Sequence, residues 1–429
     1  MFGMTESFRR RCWATRLITT LAFGLGIGLS VVVSIRPVVA DSAIHAAAPR
    51  ALRLPATPYR YAEVDLPEHV RELAARFDNT PTDNPITDAG ATLGRVLFYD
   101  VTLSANGTTS CASCHRQEIA FTDDERLSVG FDGRRVGRNS MSLINLRYYA
   151  RGRFFWDERA ESLEAQVLQP IENEIEMGHD LASLVRQLAD DPLYPPLFQE
   201  AFGDVEVDAS RIGQALAQFI RSIVSFDSRF DRGLALAGSV DHPFENFTAE
   251  ENHGKSLFFG EARCASCHAA DPHRSDGDGA DVTQAAFFFI DQPVANGIDV
   301  DDFQRLDPAI DPGWGGITGQ EEDFGRFKSS SLRFVELTGP YMHDGRFRTL
   351  ESVVEHYNWS IRPHVNLDRR LQNLESSGLA RAQSDVDALV AFLKTLSDPK
   401  LLTDLRFSDP FVESTGRQSR LTPAAKPPR

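Results

Sequence analysis

Residues 111–115 read Cys-Ala-Ser-Cys-His, and residues 264–268 repeat the same five residues. The pattern Cys-x-x-Cys-His is the attachment site of c-type haem. The two thiols bond covalently to the porphyrin, and the adjacent imidazole binds the iron. The sequence therefore predicts two covalently attached haem c groups, held by Cys111, Cys114, His115, Cys264, Cys267 and His268, with the two histidines as iron ligands.

The cysteines could in principle serve two other structures. An exported protein with four cysteines is usually a disulfide protein, but here each pair lies in an identical pentapeptide that ends in histidine. A zinc site would need both pairs in one cluster and would leave the two histidines over. Haem attachment explains the whole pattern. It uses every cysteine except Cys12, which lies in the N-terminal segment described below.

The composition is that of an ordinary globular protein. Of the 429 residues, 42% are hydrophobic and 25% are charged, which excludes collagen, coiled coil, general disorder and a polytopic membrane protein. The length suggests about two domains. The formal net charge of −16 repels phosphate backbones, so we expect no nucleic-acid partner.

The first 40 residues have the order typical of a secretory signal peptide. Four arginines at positions 9 to 16 precede an apolar run over residues 17–35, and Val38-Val39-Ala40 offers a cleavage site. The run is also nearly long enough for an uncleaved membrane anchor, but polar chain follows Ala40 at once. We expect cleavage after Ala40, export to the periplasm and a mature protein with no membrane span.

Helical periodicity dominates the remaining chain. Apolar residues recur at helical spacing over residues 87–97 and 210–224, and a capping box at Thr248 opens a helix over residues 248–259. We expect Ser384 to cap a further helix that continues to residue 396. No alternating stretch is long enough to require a sheet. The predicted fold is mainly α, with two cytochrome c-like haem domains in tandem and long irregular loops.

The two haem motifs divide the chain into predicted domains. We expect a signal peptide over residues 1–40, an N-terminal extension over 41–85, a first haem domain over 86–240, a second over 241–407 and a flexible tail over 408–429. The segment 271–319 is rich in Asp, Gly and Pro and is predicted to be a loop that wraps a haem edge.

Sequence outside the haem motifs resembles the bacterial diheme cytochrome c peroxidase and MauG family. The resemblance covers residues 87–396 and is carried by several ordered stretches. These are Gly-Arg-Asn-Ser at 137–140, Phe-Trp-Asp-Glu-Arg-Ala at 155–160, the stretch 166–178, and Leu-Thr-Gly-Pro-Tyr-Met-His-Asp-Gly at 337–345. The resemblance implies that the first haem reacts with hydrogen peroxide and that the second exchanges electrons.

The resemblance also implies which residues surround the peroxide. Glu176 matches the glutamate that moves a proton between the peroxide oxygens, and Gln166 and Pro170 match other positions of the same pocket. A carboxylate needs partial burial to raise its pKa for this task at neutral pH. By itself, Glu176 in a run with Glu172 and Glu174 would be a solvated face.

Two positions place the chain nearer to the MauG branch of the family. Members of the peroxidase branch carry a histidine that blocks the first iron until the enzyme is reduced. Here Phe131 stands at that position, and no histidine lies between His115 and His179. The first iron is therefore expected to be five-coordinate or weakly water-bound without prior reduction.

The second position concerns the sixth ligand of the second haem. Peroxidases have a methionine fourteen residues beyond the histidine that corresponds to His343, whereas this chain has Tyr357, as MauG-type enzymes do. His356 is the competitor, since imidazole is the commoner ligand. On a helix, His356 lies about 100° away from a stripe of residues that faces inward and ends in Tyr357. Tyr357 could also belong to this stripe simply as a core residue that binds no iron. The stripe consists of Leu350, Val353, Val354 and Tyr357.

Two further roles are implied by the resemblance alone. Trp156 matches a tryptophan that lies between the haems, where an aromatic ring can carry an oxidising equivalent from one iron to the other. Asn139, Thr338 and Pro340 match positions that hold calcium through an amide and backbone carbonyls, and oxygen ligands suit calcium. Without the resemblance, Trp156 would be a packing residue and the other three would be turn residues.

The predicted function is that of a periplasmic diheme peroxidase-type oxidoreductase. It is expected to use hydrogen peroxide to form high-valent haem iron and to oxidise a partner protein, in the manner of MauG, at a tryptophan. One alternative is a cytochrome c peroxidase that detoxifies peroxide with electrons from a small cytochrome or copper protein. A second alternative is a diheme electron-transfer protein without catalytic activity.

Overall fold

The fold was obtained as a computed structural model that describes residues 51–268, 288–289, 292–299, 310–372 and 378–412. These residues are mainly helical. The α-helices are α1 (Glu68–Phe77), α2 (Asp88–Tyr99), α3 (Cys111–Cys114), α4 (Leu163–Glu172), α5 (Leu181–Asp190), α6 (Tyr194–Phe202), α7 (Ala209–Ser222), α8 (Arg229–Ala237), α9 (Ala249–Phe259), α10 (Ala265–His268), α11 (Gly315–Thr318), α12 (Leu350–Trp359) and α13 (Gln383–Lys394). Short 3-10 turns lie at Val101–Leu103, Gln117–Ile119, Leu146–Tyr148, Glu321–Asp323 and Leu401–Thr403.

The predicted helices are confirmed, with one error in a cap. Helix α9 opens with the expected capping box: Thr248 Oγ1 accepts the Glu251 N–H at 3.1 Å, and the Glu251 carboxylate accepts the Thr248 N–H at 2.7 Å. Ser384, however, is the second residue of α13 rather than its cap. The extended backbone ends at Ala382, whose carbonyl already accepts the Asp385 N–H at 3.0 Å, so the helix begins two residues earlier than predicted.

The same helix packing occurs twice, once near each haem motif. In the first half, α2 crosses α7 at Gly94, where a Cβ atom would lie 1.9 Å from the Ala215 carbonyl oxygen. In the second half, α9 crosses α13 at Gly254, where a Cβ atom would lie 1.8 Å from the Ala388 carbonyl oxygen. Only glycine permits backbones to approach this closely. In both halves, the helix that precedes the haem motif is therefore packed against a second helix through a glycine.

Buried apolar residues form two clusters that follow this division. The first cluster contains Phe98 and Phe219 from α2 and α7, and the second contains Phe258 and Phe392 from α9 and α13. Apolar burial at about 25 cal/mol per Å² is the main source of stability for each. Each cluster lies next to one Cys-x-x-Cys-His turn and so supports one candidate haem site.

The C-terminal segment returns to the first half of the chain. Phe407 packs in the first cluster, and the Gln117 side-chain amide donates to the carbonyls of Leu401 and Asp404, both at 2.9 Å. The Tyr61 hydroxyl of the N-terminal segment donates to the Arg406 carbonyl at 2.5 Å. The domain limits remain a prediction. Residues 401–407 belong to the predicted second domain but contact the first cluster.

Strands are absent from the described residues, where only isolated β-bridges occur, such as Leu52 with Phe411 and Tyr341 with Phe347. In the same residues, none of the helices has the length and apolar character needed to cross a bilayer. The predicted signal peptide lies outside the described residues. So do most of the predicted 271–319 loop and the tail beyond residue 412.

Candidate active site: two haem-binding cavities

Each Cys-Ala-Ser-Cys-His sequence folds into a single helical turn. In the first turn the His115 N–H donates to the Cys111 carbonyl at 3.0 Å, and in the second the His268 N–H donates to the Cys264 carbonyl at 3.0 Å. Residues three apart lie on the same face of a helix. Each pair of thiols therefore lies together, beside its histidine, and none of the four cysteines forms a disulfide.

Burial keeps Cys111, Cys114, Cys264 and the two imidazoles uncharged. It raises the pKa of Cys111 to about 12, that of Cys114 to about 11 and that of Cys264 to about 12. It lowers the pKa of His115, and it lowers that of His268 to about 4. Both imidazoles are therefore neutral at physiological pH, which is the form that binds a metal ion.

The two histidines are held differently. His115 Nδ1 lies 3.0 Å from the Phe121 carbonyl, so Nδ1 carries the proton and Nε2 is the nitrogen that can bind iron. His268 Nδ1 is buried, and its weaker hydrogen-bonding neighbour is the backbone of Phe288, which is distant in the chain. The first histidine is thus oriented by the loop that follows its own motif.

The first cavity has a volume of about 520 Å³ and lies next to α3. This volume is in the range usual for ligand and cofactor sites. The structure brings the predicted site residues together here, since the cavity is lined by His115, Trp156, Gln166, Pro170 and Glu176. His115 is the only histidine among its described lining residues.

Glu176 is half-buried at the edge of this cavity. Burial raises the pKa of its carboxyl above the ordinary value, although the positive charge of Arg159 acts in the opposite direction. The chain turns towards the cavity after α4 because Asn173 Oδ1 accepts the N–H groups of Ile175 at 2.9 Å and Glu176 at 3.1 Å. Gln166 and Pro170 lie four residues apart on α4 and so share one face.

Phe131 lies outside the cavity, behind the segment that carries Glu176. Its N–H donates to the Glu176 carbonyl at 3.0 Å, and its ring packs against Gly178. The side chain thus supports the Glu176 segment and does not line the space above the predicted haem. No ligand-forming atom is available at this position, because phenylalanine has none.

The second cavity is smaller, about 140 Å³, and is lined by both His268 and Tyr357. The phenol of Tyr357 accepts a hydrogen bond from Asn296 Nδ2 at 3.3 Å, and burial raises the pKa of Tyr357 to about 12. Val353 also lines the cavity, as the predicted stripe requires, and Leu350 and Val354 are buried.

His356, the competing ligand, is buried as well, although helical geometry placed it off the inward stripe. It is 3% exposed, and its Nε2 lies 3.0 Å from the Asn296 carbonyl. It is not among the described residues that line the cavity. The imidazole therefore packs behind Tyr357, where its Nε2 is already engaged as a donor.

Trp156 lines both cavities. Its indole Nε1 donates to the Asn139 carbonyl at 2.8 Å, and its own carbonyl accepts the Lys328 N–H at 2.8 Å. Its ring centroid lies 6.4 Å from that of His343. The tryptophan is thus fixed at the boundary between the two predicted haem sites.

The three predicted calcium ligands all line the second cavity. The Asn139 amide nitrogen donates to the carbonyls of Glu125 at 3.3 Å and Arg126 at 3.1 Å, which leaves its Oδ1 as the atom that could bind a cation. Thr338 and Pro340 lie on the same short loop. The calcium site remains a prediction.

The cavities also contain charged residues that were not predicted as site residues, among them Lys328 and Arg138. Lys328 is buried and lines both cavities, with its Nζ 4.3 Å from the centre of the Tyr149 ring, and burial lowers its pKa to about 8. Arg138 lines the first cavity and pairs with Asp157 at 2.6 Å and Asp311 at 2.7 Å. Neither has a local sequence signal, because their partners are distant in the chain.

The residues present fit covalently bound haem at both places. Each has two thiols on one helical turn for attachment, a neutral imidazole beside them for iron, and an adjoining cavity. When bound, haem would supply redox-active iron at His115 and at His268.

Comparison with known proteins agrees with this geometry. Residues 88–239 match a family model described as di-haem cytochrome c peroxidase. Over 325 residues, the chain is 33% identical to the methylamine utilization protein MauG of Methylorubrum extorquens, which covers 75% of this chain and 82% of that protein. The chain belongs to the diheme cytochrome c peroxidase and MauG family.

Other relatives of the chain include both a cytochrome c peroxidase and a MauG-like protein. Over 309 residues the chain is 32% identical to a cytochrome c551 peroxidase of Nitrosomonas europaea, covering 72% of this chain and 79% of that protein. A crystal structure of a MauG-like protein associated with microbial copper homeostasis is 33% identical, with a TM-score of 0.65, and covers 81% of this chain and 99% of its own. This protein is therefore a diheme peroxidase-type oxidoreductase that depends on hydrogen peroxide.

Proposed function

We propose that this oxidoreductase is exported to the periplasm and oxidises a partner protein over a distance, in the manner of MauG, at a tryptophan side chain. Hydrogen peroxide accepts two electrons and two protons and leaves as two molecules of water. The electrons come from the partner by way of the second cavity, where Tyr357 would bind the haem iron opposite His268, and Trp156 lies between the two sites.

The observation that carries this proposal is the composition of the first cavity. It combines His115 for the iron with the half-buried carboxyl Glu176, and it has no second imidazole among its described lining residues. The Glu176 carboxylate would take a proton from one oxygen of peroxide and return it to the other. A raised pKa suits a group that must both take and give a proton near neutral pH.

Tandem haem domains, the domain limits and the calcium belong to the same proposal. The crossings at Gly94 and Gly254 support the tandem arrangement, since each half uses one glycine to bring two helices together. The calcium between Asn139, Thr338 and Pro340 would stiffen the boundary that Trp156 occupies.

The test uses the purified holoprotein and the product of a neighbouring gene as partner. Peroxide is added to the pair, and the intact mass and the peptides of the partner are measured. A peroxide-dependent loss of hydrogens or gain of oxygen at a partner tryptophan supports the proposal. No mass change, in a protein that still reacts with peroxide, contradicts it.

The second candidate is a peroxidase that removes peroxide. It is favoured by relatives such as the Nitrosomonas europaea cytochrome c551 peroxidase. Here a reduced small cytochrome or copper protein would be the electron donor. Rapid, repeated turnover with a reduced small cytochrome, without modification of any partner, would favour this candidate over protein oxidation.

A further inference from the structure

Asn296 contacts three side chains of types that bind haem iron in proteins. Its Nδ2 lies 3.3 Å from Tyr357 Oη and 3.5 Å from Met342 Sδ, and its backbone carbonyl lies 3.0 Å from His356 Nε2. Phenol, thioether and imidazole are all known axial ligands of haem. One residue thus touches three side chains near the second cavity that could bind iron. His343 also lines this cavity, but its ring stacks on Phe327 with centroids 3.8 Å apart and its Nε2 lies 3.7 Å from Asp299.

The carbonyl of Asn296 holds His356 in an inactive form. A carbonyl accepts only, so Nε2 of His356 must carry its proton and point that proton at Asn296. The protonated Nε2 has no lone pair for iron, and the ring that carries the other nitrogen, Nδ1, is not among the described residues that line the cavity. The ring is also packed against Tyr357, with centroids 5.0 Å apart, and against Phe347, with centroids 5.6 Å apart.

The amide of Asn296 treats the other two candidates unequally. Tyr357 and Met342 both line the cavity, and both lie within reach of the same NH₂ group. A hydrogen bond to an anionic oxygen is about twice as strong as one between neutral groups, whereas thioether sulfur is a weak acceptor. The amide therefore stabilises a phenolate more than it stabilises a free thioether.

We propose that Asn296 selects Tyr357 as the sixth ligand of the second haem. Its amide stabilises the phenolate oxygen and engages the sulfur of Met342, while its carbonyl keeps His356 away from the iron. Asn296 is a positioning residue, and the inference rests on the proposed ligation by Tyr357. It accounts for how one ligand is specified among the three side chains that Asn296 contacts.

The test is Asn296→Leu, which removes the donor and keeps the backbone carbonyl. We expect both haems to remain covalently attached. At the second haem, part of the ferric iron should show the absorption of thioether ligation. That part should also have a higher reduction potential, because methionine ligation raises the potential. The double variant Asn296→Leu with Met342→Leu should return to one oxygen-bound population. Its potential should rise above wild type, by about 59 mV for each tenfold loss of relative ferric binding, because the phenolate has lost its donor.

Three variants keep the result interpretable. Asn296→Asp also lacks the donor and serves if the leucine variant loses haem. Asn366→Leu removes an amide that donates, among the described residues, to the carbonyls of Glu321 at 2.6 Å and Phe324 at 3.1 Å, and it should leave the second haem unchanged. Tyr357→Phe should change the second haem by itself.

Two results would overturn the inference, and they can be told apart. If Tyr357→Phe alters the second haem but Asn296→Leu and Asn296→Asp match wild type in spectrum and potential, Asn296 does not select the ligand and the proposed function stands. If Tyr357→Phe also leaves the second haem unchanged, the proposed ligation by Tyr357 is wrong.

Discussion

Glu176→Gln removes the proton acceptor of the first cavity while preserving its size and polarity. General acid–base groups contribute about 10²- to 10⁴-fold to a rate. We expect the reaction with peroxide to slow by that factor, which corresponds to about 3–5 kcal/mol of activation free energy at about 1.36 kcal/mol for each tenfold change. Both haems should remain attached, because Glu176 contacts neither Cys-x-x-Cys-His turn through a hydrogen bond.

The pH dependence follows from the direction of the pKa shift. Burial raises the pKa of Glu176 above the ordinary value of 4.5. The carboxylate, which is the proton acceptor, therefore becomes populated only as the pH rises through this raised pKa, and the rate should rise with it. Arg159 lowers the pKa, so Arg159→Met should move the rise to higher pH. In Glu176→Gln the rise should disappear.

Stopped-flow absorbance after mixing with peroxide measures this rate across pH. Glu174→Gln is the matched control, since the Glu174 side chain is 85% exposed two residues away and should leave the rate unchanged. If Glu176→Gln reacted at the wild-type rate, or if Glu174→Gln were equally slow, Glu176 would be a surface carboxylate with no part in the reaction.

Three other predictions test the cofactors, the packing and the path between the sites. The purified protein should contain two haems that acid–acetone does not extract, and a pyridine haemochrome assay that gives one haem would contradict the reading of the two motifs. Gly254→Val should lower the free energy of unfolding by about 1–3 kcal/mol through overpacking, because the new Cβ would meet the Ala388 carbonyl. Gly137→Ala should leave the free energy of unfolding unchanged, because open space surrounds Gly137. Thermal and denaturant unfolding measure both variants. Trp156→Phe should keep the first reaction with peroxide but slow electron exchange with the second haem, as followed by stopped-flow absorbance, while Trp314→Phe, which lines neither cavity, should have no effect.

Sequence patterns predicted the local features of this protein well. The Thr248 capping box, the helices around both haem motifs and the inward placement of Tyr357 all depend on spacings of a few residues. The resemblance to the family added Glu176, Gln166, Pro170 and Trp156, and the structure places all four around one cavity. Their chemical roles remain to be measured.

Contacts between distant parts of the chain could not be predicted. Asn296 lies 60 residues from His356, and Arg138 lies 173 residues from Asp311. Lys328 has no partner at helical or strand spacing that would mark it as buried. The burial of His356 was missed for the same reason, since the carbonyl that it meets belongs to a separate loop. The cap of α13 was wrong because serine is also tolerated inside a first turn.

Electron paramagnetic resonance of the fully oxidised protein, followed by mixing with peroxide, tests the central proposal most directly. With Phe131 outside the first cavity and Tyr357 in the second, the first iron should be high-spin and the second low-spin. The second iron should have a depressed potential, because an anionic oxygen ligand stabilises ferric iron. The oxidised protein should then react with peroxide without prior reduction. Two low-spin ferric signals, and no reaction until the protein is half-reduced, would show that another residue blocks the first iron and that the protein works as a reductively activated peroxidase.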